Sequence, residues 1–333
     1  MKQKDAPSFI SAMQKEADDH DGRRHWKIVR RDEAGNPQTI LAIWSFKRKQ
    51  HPDGSLNKHK ARLCAHGGMQ QWGVNYWETF SPVVNWMSVR LVLILALIFN
   101  LPTRSIDFVL AFPQAELDVP VFMEIPAGMV VEGAEQGEYI IEHKKSLYGL
   151  RQGSFNWFQK LKAGLETRGF TSSDIDPCIF ISKDMILLVY VDDCILVGKS
   201  NKAIDGFIDS LNKGDENFDF TDDGDIKNYL GVEFTRHGDG SMELKQEFLM
   251  KRILDAVDFS PNTTKTKDNP VIKPLLTKDE ERVERAHKWN YRSVIGMMNY
   301  LENHRARIWQ WLYINVQDFV RIRRCVMRKQ YIE

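Results

Sequence analysis

Two adjacent aspartates, Asp192 and Asp193, sit between the apolar runs Met185-Ile-Leu-Leu-Val189 and Ile195-Leu-Val-Gly198. The pattern predicts a β-hairpin with buried arms and an anionic tip at Tyr190-Val191-Asp192-Asp193. A third carboxylate, Asp107, ends another apolar strand that starts near Thr103. Crowding like charges is unfavourable unless a cation compensates. Hard carboxylate oxygens suit Mg²⁺, and Mn²⁺ accepts the same ligands. Strands lying side by side would bring the three carboxylates together, and such a set can hold two ions about 4 Å apart. One ion lowers the pKa of an attacking hydroxyl while the other neutralises the leaving phosphate oxygens, which is the machinery of nucleotidyl transfer. The plainer reading of the pair is a solvated Asp-Asp turn, since Asp is common in turns.

The elements that must position these residues are legible as periodicities. Residues 8–20 read as a short amphipathic helix with Phe9, Ile10, Met13 and Ala17 at helical spacing. Residues 25–65 are strand-rich. Ile40 to Phe46 and Lys60 to Ala65 flank the turn chemistry of His51-Pro52-Asp53-Gly54, and Lys47, Arg48, Lys49, Lys58, Lys60 and Arg62 make that hairpin basic. Ser88 to Asn100 reads as a buried helix with Ser88 as N-cap. Thr103 to Phe112 is a strand breaking into a turn, and Val121 to Ile125 a strand. Ser154 to Arg168 is an amphipathic helix with Phe155, Phe158, Leu161 and Leu165 on one side, ended by Gly169. Strands follow from Pro177 to Val197, then a helix from Ala203 to Leu211. Tyr229 to Thr235 and Ser241 to Leu244 form a hairpin across Gly238-Asp239-Gly240. Helices at Phe248 to Val257 and Arg292 to Leu301 flank a Pro-, Thr- and Lys-rich linker at 258–280. Strands and helices mix without a βαβ rhythm, which argues for α+β with a mainly antiparallel sheet.

Composition bounds the function classes. The chain has 333 residues, is 43% hydrophobic and carries a formal charge of +1, enough apolar content for a core but no overall basic excess. The charge is unevenly spread: residues 1–70 hold 14 Lys and Arg against 8 Asp and Glu, while 205–225 is acid-rich. A basic half with a separate carboxylate cluster fits a protein that holds a phosphate backbone and a metal, the alternative being ordinary charge scatter. Cys64, Cys178, Cys194 and Cys325 are widely spaced with no CxxC pair, so neither zinc nor a disulfide framework is indicated and an intracellular setting is expected. The longest apolar run, Leu91 to Phe99, is too short to span a bilayer, and residues 1–5 have no signal-peptide character, so no membrane partner is expected. There is no repeat, no GxGxxG after a strand and no GxxxxGK[ST].

Taken in order, several segments resemble the reverse transcriptase of Ty1/copia-type LTR retrotransposons. They are Asn57-Lys-His-Lys-Ala-Arg-Leu-Cys-Ala65, Trp77-Glu-Thr-Phe-Ser-Pro-Val-Val84, Val89-Arg-Leu91, Ile106-Asp-Phe-Val-Leu-Ala-Phe112, Val121-Phe-Met-Glu-Ile-Pro126, Lys145-Ser-Leu-Tyr-Gly-Leu-Arg-Gln152, Asp176-Pro-Cys178, Tyr190-Val-Asp-Asp193 and Tyr229-Leu-Gly231, with Pro270 to Pro274 at a Pro-rich junction. The likeness covers roughly residues 8–300. It implies a right-hand polymerase with fingers, palm and thumb. The expected division is an N-terminal helix (1–22), fingers and palm (23–236), a thumb or connection-like region (237–300) and an atypical tail (301–333). It implies synthesis of DNA from dNTPs on an RNA or DNA template, extending a primer through an RNA–DNA hybrid with two Mg²⁺ ions. A cytoplasmic setting within virus-like particles is expected, with the nucleus as the other compartment.

Residue by residue, the resemblance makes Asp107, Asp192 and Asp193 catalytic metal ligands, joined by the backbone carbonyl of Phe108. Phe112 matches the bulky aromatic that excludes a ribose 2′-OH, unless it is plain core. Lys60 and Arg62 would reach the incoming triphosphate, Arg as a bidentate donor and Lys as a point charge; a solvated basic face is the alternative. Gly149 and Gln152 match the segment bordering dNTP and template, where glycine permits close backbone approach; Gln152 could equally be a helix-cap partner. Tyr229-Leu230-Gly231 resembles the primer-gripping hairpin, though a core hairpin explains it too. Lys227 just before it is a candidate general acid for pyrophosphate.

Departures are Gly153-Ser154-Phe155 after the Gln, His66 where Lys is frequent, and Val109-Leu110 inside the Asp107 segment. Tyr291-Arg-Ser-Val-Ile-Gly296 fits, but from Leu301, through Asn303-His-Arg-Ala-Arg307 to the basic Trp-containing tail, the pattern is lost, as a frameshift would produce. No RNase H, protease or integrase segment is recognised. A fragment of a polyprotein or a degenerate insertion is expected, and an inactive remnant that keeps the fold and binds nucleic acid is the alternative function. A metal-dependent glycosyl- or phosphotransferase acting on a nucleotide-linked donor would explain the acidic pair but not the ordered segments or the basic hairpin.

Overall fold

The computed structural model describes residues 5–50, 55–131, 133, 135, 137–213, 216–238, 241–259 and 289–303. Its elements in chain order begin with α1 (Ala6–Gly22), β1 (Trp26–Arg30), β2 (Thr39–Ile40), β3 (Ala42–Gln50) and β4 (Leu56–Ala65). Next come α2 (Trp86–Ile98), β5 (Thr103–Phe108), the short α3 (Ala111–Gln114), β6 (Glu116–Glu124), β7 (Tyr139–Lys145) and α4 (Gly153–Glu166). Then follow β8 (Thr171–Ser172), β9 (Ile179–Ile181), β10 (Met185–Tyr190), β11 (Asp193–Gly198), α5 (Asn201–Leu211) and β12 (Phe220–Gly224). The last are β13 (Asn228–Tyr229), β14 (Val232–Arg236), β15 (Met242–Lys245), α6 (Glu247–Ala256) and α7 (Tyr291–Asn303). This is a mixed α+β fold, and of the described strand pairs all but β2 with β6 are antiparallel. The chain divides into two compact units, Met1–Ile226 and Lys227–Glu333.

The first unit holds a six-stranded sheet in the order β12-β5-β11-β10-β9-β8. Its central strands β10 and β11 are buried along nearly their whole length, which is why they read as continuous apolar runs rather than alternating ones. Beneath the sheet, Phe108 of β5 packs edge-on against Trp157 of α4 (5.1 Å) and Phe218 (5.5 Å). A four-stranded sheet, β1-β7-β6-β2, carries a second core of Trp26, Ile40, Leu63, Val121, Met123, Ile141, Leu147 and Leu150. The basic hairpin forms its own two-stranded ladder, with Lys47 opposite Lys60 and Ser45 opposite Arg62. Its expected turn at His51–Gly54 lies outside the described residues.

Some boundaries move for identifiable reasons. α2 is capped by Asn85, whose side chain accepts from Met87 N (2.9 Å), not by Ser88. The Ser88 hydroxyl instead donates to Asp176 (2.6 Å), which also accepts from Asn85 N and so ties the helix start to the β8–β9 region. That helix is only half buried: Met87, Leu91, Ile94 and Ile98 form an exposed outer stripe. Strands β7 and β12 were not anticipated. β12 reads Phe-Thr-Asp-Asp-Gly, whose residues look like a turn, yet it pairs with β5 along the sheet edge.

In the second unit, β13-β14-β15 form a small antiparallel sheet and α6 and α7 pack through Ile253, Val294, Met298 and Leu301. Tyr229 to Thr235 is not one strand. Leu230 and Gly231 both adopt left-handed conformations (φ +49° and +72°) and make the two-residue turn between Tyr229 and its partner Val232. The Asp239-Gly240 turn, residues 260–288 of the linker region and residues 304–333 lie outside the described residues.

Candidate active site

The carboxylates arise from strand register. β5 and β11 pair antiparallel with Asp193 directly opposite Asp107, so both side chains share one face of the sheet. β10 and β11 form a tight hairpin in which Tyr190 pairs with Asp193, leaving Val191-Asp192 as the turn. Two hydrogen bonds fix that tip. Phe108 N donates to the Asp192 carbonyl (2.9 Å), and the Trp157 indole donates to the Val191 carbonyl (2.6 Å). Val191 has φ +57°, a conformation β-branched residues rarely tolerate.

Burial and mutual repulsion disfavour the charged carboxylates, and Lys49 and Lys60 offset part of this at Asp107. Burial, then the neighbouring Asp192, Asp107 and Asp223 charges, push the Asp193 carboxyl up to about 6. Burial and the charges of Asp192 and Asp223 likewise raise Asp107. Asp223 is therefore a fourth acid at this end of the sheet. It lies on β12 two residues beyond Thr221, the cross-strand partner of Asp107. Sequence reading missed it because Thr-Asp-Asp-Gly has the composition of a loop. The donor set of carboxylate oxygens has the chemistry a hard divalent ion takes. The side chains are adjacent rather than gathered: among the described residues no group of three His, Cys, Asp or Glu is arranged to hold a metal.

The carboxylates open onto a cleft of about 950 Å³, in which Asp107, Asp192 and Thr221 face Lys49, Lys58, Lys60 and Arg62 of the basic hairpin and one side of α1. Burial, then the Arg62 and Lys49 charges, lower the pKa of Lys60, and Glu16 offsets part of this. The Arg62 guanidinium carbon sits over the Tyr148 ring, 4.0 Å from its centroid, and Tyr148 in turn packs against Phe112 at 5.0 Å.

Comparison with known proteins identifies the family. The family model described as reverse transcriptase (RNA-dependent DNA polymerase) matches residues 23–273. The chain belongs to this family. It is 30% identical over 301 residues to the retrovirus-related Pol polyprotein from transposon RE2 of Arabidopsis thaliana, covering 87% of the chain and 20% of that protein. It is 31% identical over 307 residues to the corresponding polyprotein from transposon TNT 1-94 of Nicotiana tabacum, covering 88% and 22%. It is 26% identical over 295 residues to the transposon Ty1-NL2 Gag-Pol polyprotein of Saccharomyces cerevisiae, covering 84% and 16%. The resemblance to Ty1/copia-type reverse transcriptases is thus established, and the chain spans about a fifth of the length of the relatives it matches. No helix of the described residues is long and apolar enough to cross a membrane.

Within this reverse transcriptase fold the other expected site residues divide. Lys60, Arg62, Asp107, Phe108 and Asp192 line the cleft. Asp193 stands directly behind, paired to Asp107. Phe112 is half-buried against Tyr148 and the start of α4. Gly149 has φ +89°, and a Cβ there would drive into the Ala65 carbonyl oxygen. Its glycine is required for close approach, but to the backbone of β4. Gln152 lies behind the cleft, within the protein. It is 1% exposed, accepts from the Gln70 side chain (2.9 Å) and donates to the Asn75 carbonyl (2.8 Å). Its amide faces inward and anchors the 70–76 loop. Tyr229, Leu230, Gly231 and Lys227 belong to the second unit, where Leu230 accepts from the Tyr300 hydroxyl. Trp157 and Tyr148 were not singled out by sequence; only their aromatic size within otherwise ordinary segments could have signalled them.

Proposed function

We propose that the chain is an RNA- and DNA-directed DNA polymerase that adds dNTPs to a primer by two-metal nucleotidyl transfer. The observation that carries this reading is the strand register that sets Asp193 against Asp107 at the mouth of a cation-lined cleft. The six-stranded sheet then serves as palm, the basic hairpin as fingers and the second unit as thumb. Asp107, Asp192 and Asp193, with the Phe108 carbonyl, would hold Mg²⁺. Bound there, Mg²⁺ would acidify the primer 3′-hydroxyl and neutralise the leaving pyrophosphate.

The chain's own residues do the positioning. Arg62, positioned over Tyr148, offers a bidentate fork to the triphosphate, and Lys60, destabilised as a cation by burial, gains most when an anion arrives. Phe112, propped by Tyr148, is the candidate barrier to a 2′-hydroxyl. Tyr229-Leu230-Gly231 is the candidate primer grip and Lys227 the candidate general acid. Gly149 and Gln152 are the candidate segment bordering dNTP and template, with the Gln152 amide held by Gln70 and Asn75. The partners are an RNA template, a DNA primer or RNA–DNA hybrid, and dNTPs, in an intracellular particle.

The test is extension of oligo(dT) on poly(rA) with dTTP and Mg²⁺, comparing the chain with Asp192→Asn/Asp193→Asn. Extension by the parent alone supports the reading. A folded parent that binds the hybrid and extends nothing would identify an inactive remnant.

A further inference from the structure

The family match begins at residue 23, yet one wall of the cleft is built by the helix before it. α1 presents Ser8, Ser11, Ala12, Lys15 and Asp19 to the cleft, while Phe9, Ala17 and His20 are buried. The spacing is that of a single helical face. The helix is fastened along its length. Asp5 accepts from Arg48 (2.7 Å) and pairs with His59 (3.0 Å), Glu16 accepts from Leu63 N (3.2 Å), and the Nδ1 atoms of His20 and His25 lie 2.8 Å apart. This wall is therefore held in place against the basic hairpin.

Lys15 is the sole cation of α1, among Glu16, Asp18, Asp19 and Asp21, and no ion pair joins it to a carboxylate among the described residues. The other cation on this side, Arg23, is engaged by Asp219. Lys15 shares its cleft with Lys49, Lys58, Lys60 and Arg62. The same lining carries the carboxylates of Glu16, Asp19, Asp107 and Asp192, and with no ion pair of its own Lys15 is left able to take up an anion placed among the lysines and Arg62. We propose that Lys15 is a further substrate-binding residue, its ammonium contacting a phosphate group held in the cleft with Lys60 and Arg62. The phosphate belongs either to the incoming nucleotide or to the nucleic-acid backbone. The inference rests on the polymerase reading.

The experiment compares Lys15→Ala, Lys15→Arg and the off-cleft control Lys27→Ala with the parent. Alanine is the best helix former, so α1 is retained. One arm measures KM for dTTP in primer extension. The other measures Kd for the poly(rA)/oligo(dT) hybrid by anisotropy across a salt series without dNTP. A several-fold rise in KM at unchanged hybrid Kd assigns the triphosphate. A several-fold rise in Kd, with the salt slope smaller by about 1, assigns a backbone phosphate. Lys15→Arg restores the parent value in either case. Parent-like values in both arms for Lys15→Ala, or the same shifts in Lys27→Ala, overturn the proposal. The parent and Asp192→Asn/Asp193→Asn separate the two levels: a folded parent that extends nothing defeats the polymerase reading, undiminished extension by the variant defeats the carboxylate site, and extension by the parent that the variant loses, alongside a silent Lys15→Ala, defeats only the role of Lys15.

Discussion

Trp157→Phe tests whether the acidic tip is held under strain. Trp157 is 1% exposed, and its indole donates to the Val191 carbonyl at 2.6 Å while its ring packs on Phe108 and Phe218. Phenylalanine keeps most of the packing but leaves that carbonyl without its donor, costing about 1–3 kcal/mol. Val191, held at φ +57°, stores roughly 1–3 kcal/mol of backbone strain that the indole resists. Without the tie, the turn relaxes by that amount and carries Asp192 away from its place beside Phe108 N. A relaxation of about 1.4 kcal/mol leaves the productive tip populated about tenfold less. Trp157→Phe should therefore lower kcat for primer extension about tenfold with KM for dNTP nearly unchanged, and lower thermal stability. Adding Val191→Gly removes the strain and should recover much of kcat. A variant that loses stability yet keeps kcat, or a double variant that shows no recovery, refutes the mechanical role of Trp157.

The His20, His25 and His143 cluster should make the fold acid-sensitive. Burial, then His20 and His25, hold His143 at about 3, whereas an unfolded imidazole titrates near 6.5; the unfolded chain binds more protons between these values, so stability falls as pH drops from 6.5 towards 3. At pH 5 the loss from His143 is roughly 2 kcal/mol, and a chemical-denaturation series should show His143→Gln with a flatter pH profile. Asp193→Asn should abolish extension yet stabilise the metal-free chain by about 1 kcal/mol at pH 7, allowing for solvent screening, and a Mg²⁺-dependent rise in Tm should be lost in it. Gln152→Ala should lower stability by about 1–3 kcal/mol and raise protease sensitivity near residues 70–76; a raised KM for dNTP at unchanged stability would instead support the nucleotide-contact role. Gly149→Ala should destabilise by several kcal/mol, read as a large drop in Tm, because a Cβ meets the Ala65 carbonyl.

The sequence exposed what repeats locally and concealed what is assembled over distance. β10 and β11 were legible because both faces of each strand are buried, which leaves an uninterrupted apolar signature, and the hairpin tip follows once two such runs flank a short polar pair. Asp107 could be placed at a strand end, but its register against Asp193 depends on which neighbour β5 chooses, and nothing local states that choice. β12 was missed because an edge strand needs few apolar residues and its Asp-Asp-Gly imitates a turn. Ser88 as a cap failed by three residues because Asn85 competes for the same role and Asp176, distant in sequence, claims the Ser88 hydroxyl. The hydrogen bonds of Gln152 could not be read from the sequence, because its partners, Gln70 and Asn75, are over seventy residues away.

The same distinction explains why the candidate site looks costly in isolation. Asp107, Asp192, Asp193 and Asp223 repel one another at one end of the sheet with only partial relief from Lys49 and Lys60, Lys60 is disfavoured as a cation by burial and by Arg62 and Lys49 with only partial relief from Glu16, and Val191 is bent against its preference. Each is a local conflict that a sequence selected for stability alone would remove. They are sustained by groups with no part in the chemistry: Trp157 on the turn, Phe108 N on the Asp192 carbonyl, Tyr148 beneath Arg62, and Gly149 against β4. The two charge excesses have opposite sign and share one cleft, so a ligand combining divalent cations with phosphates relieves both at once. A Mg²⁺–nucleotide complex has that composition, and neither component alone does. Stabilisation by Mg²⁺ and dTTP together should therefore exceed the sum of their separate effects, a non-additivity that thermal unfolding can read directly and that simple additive shifts would contradict.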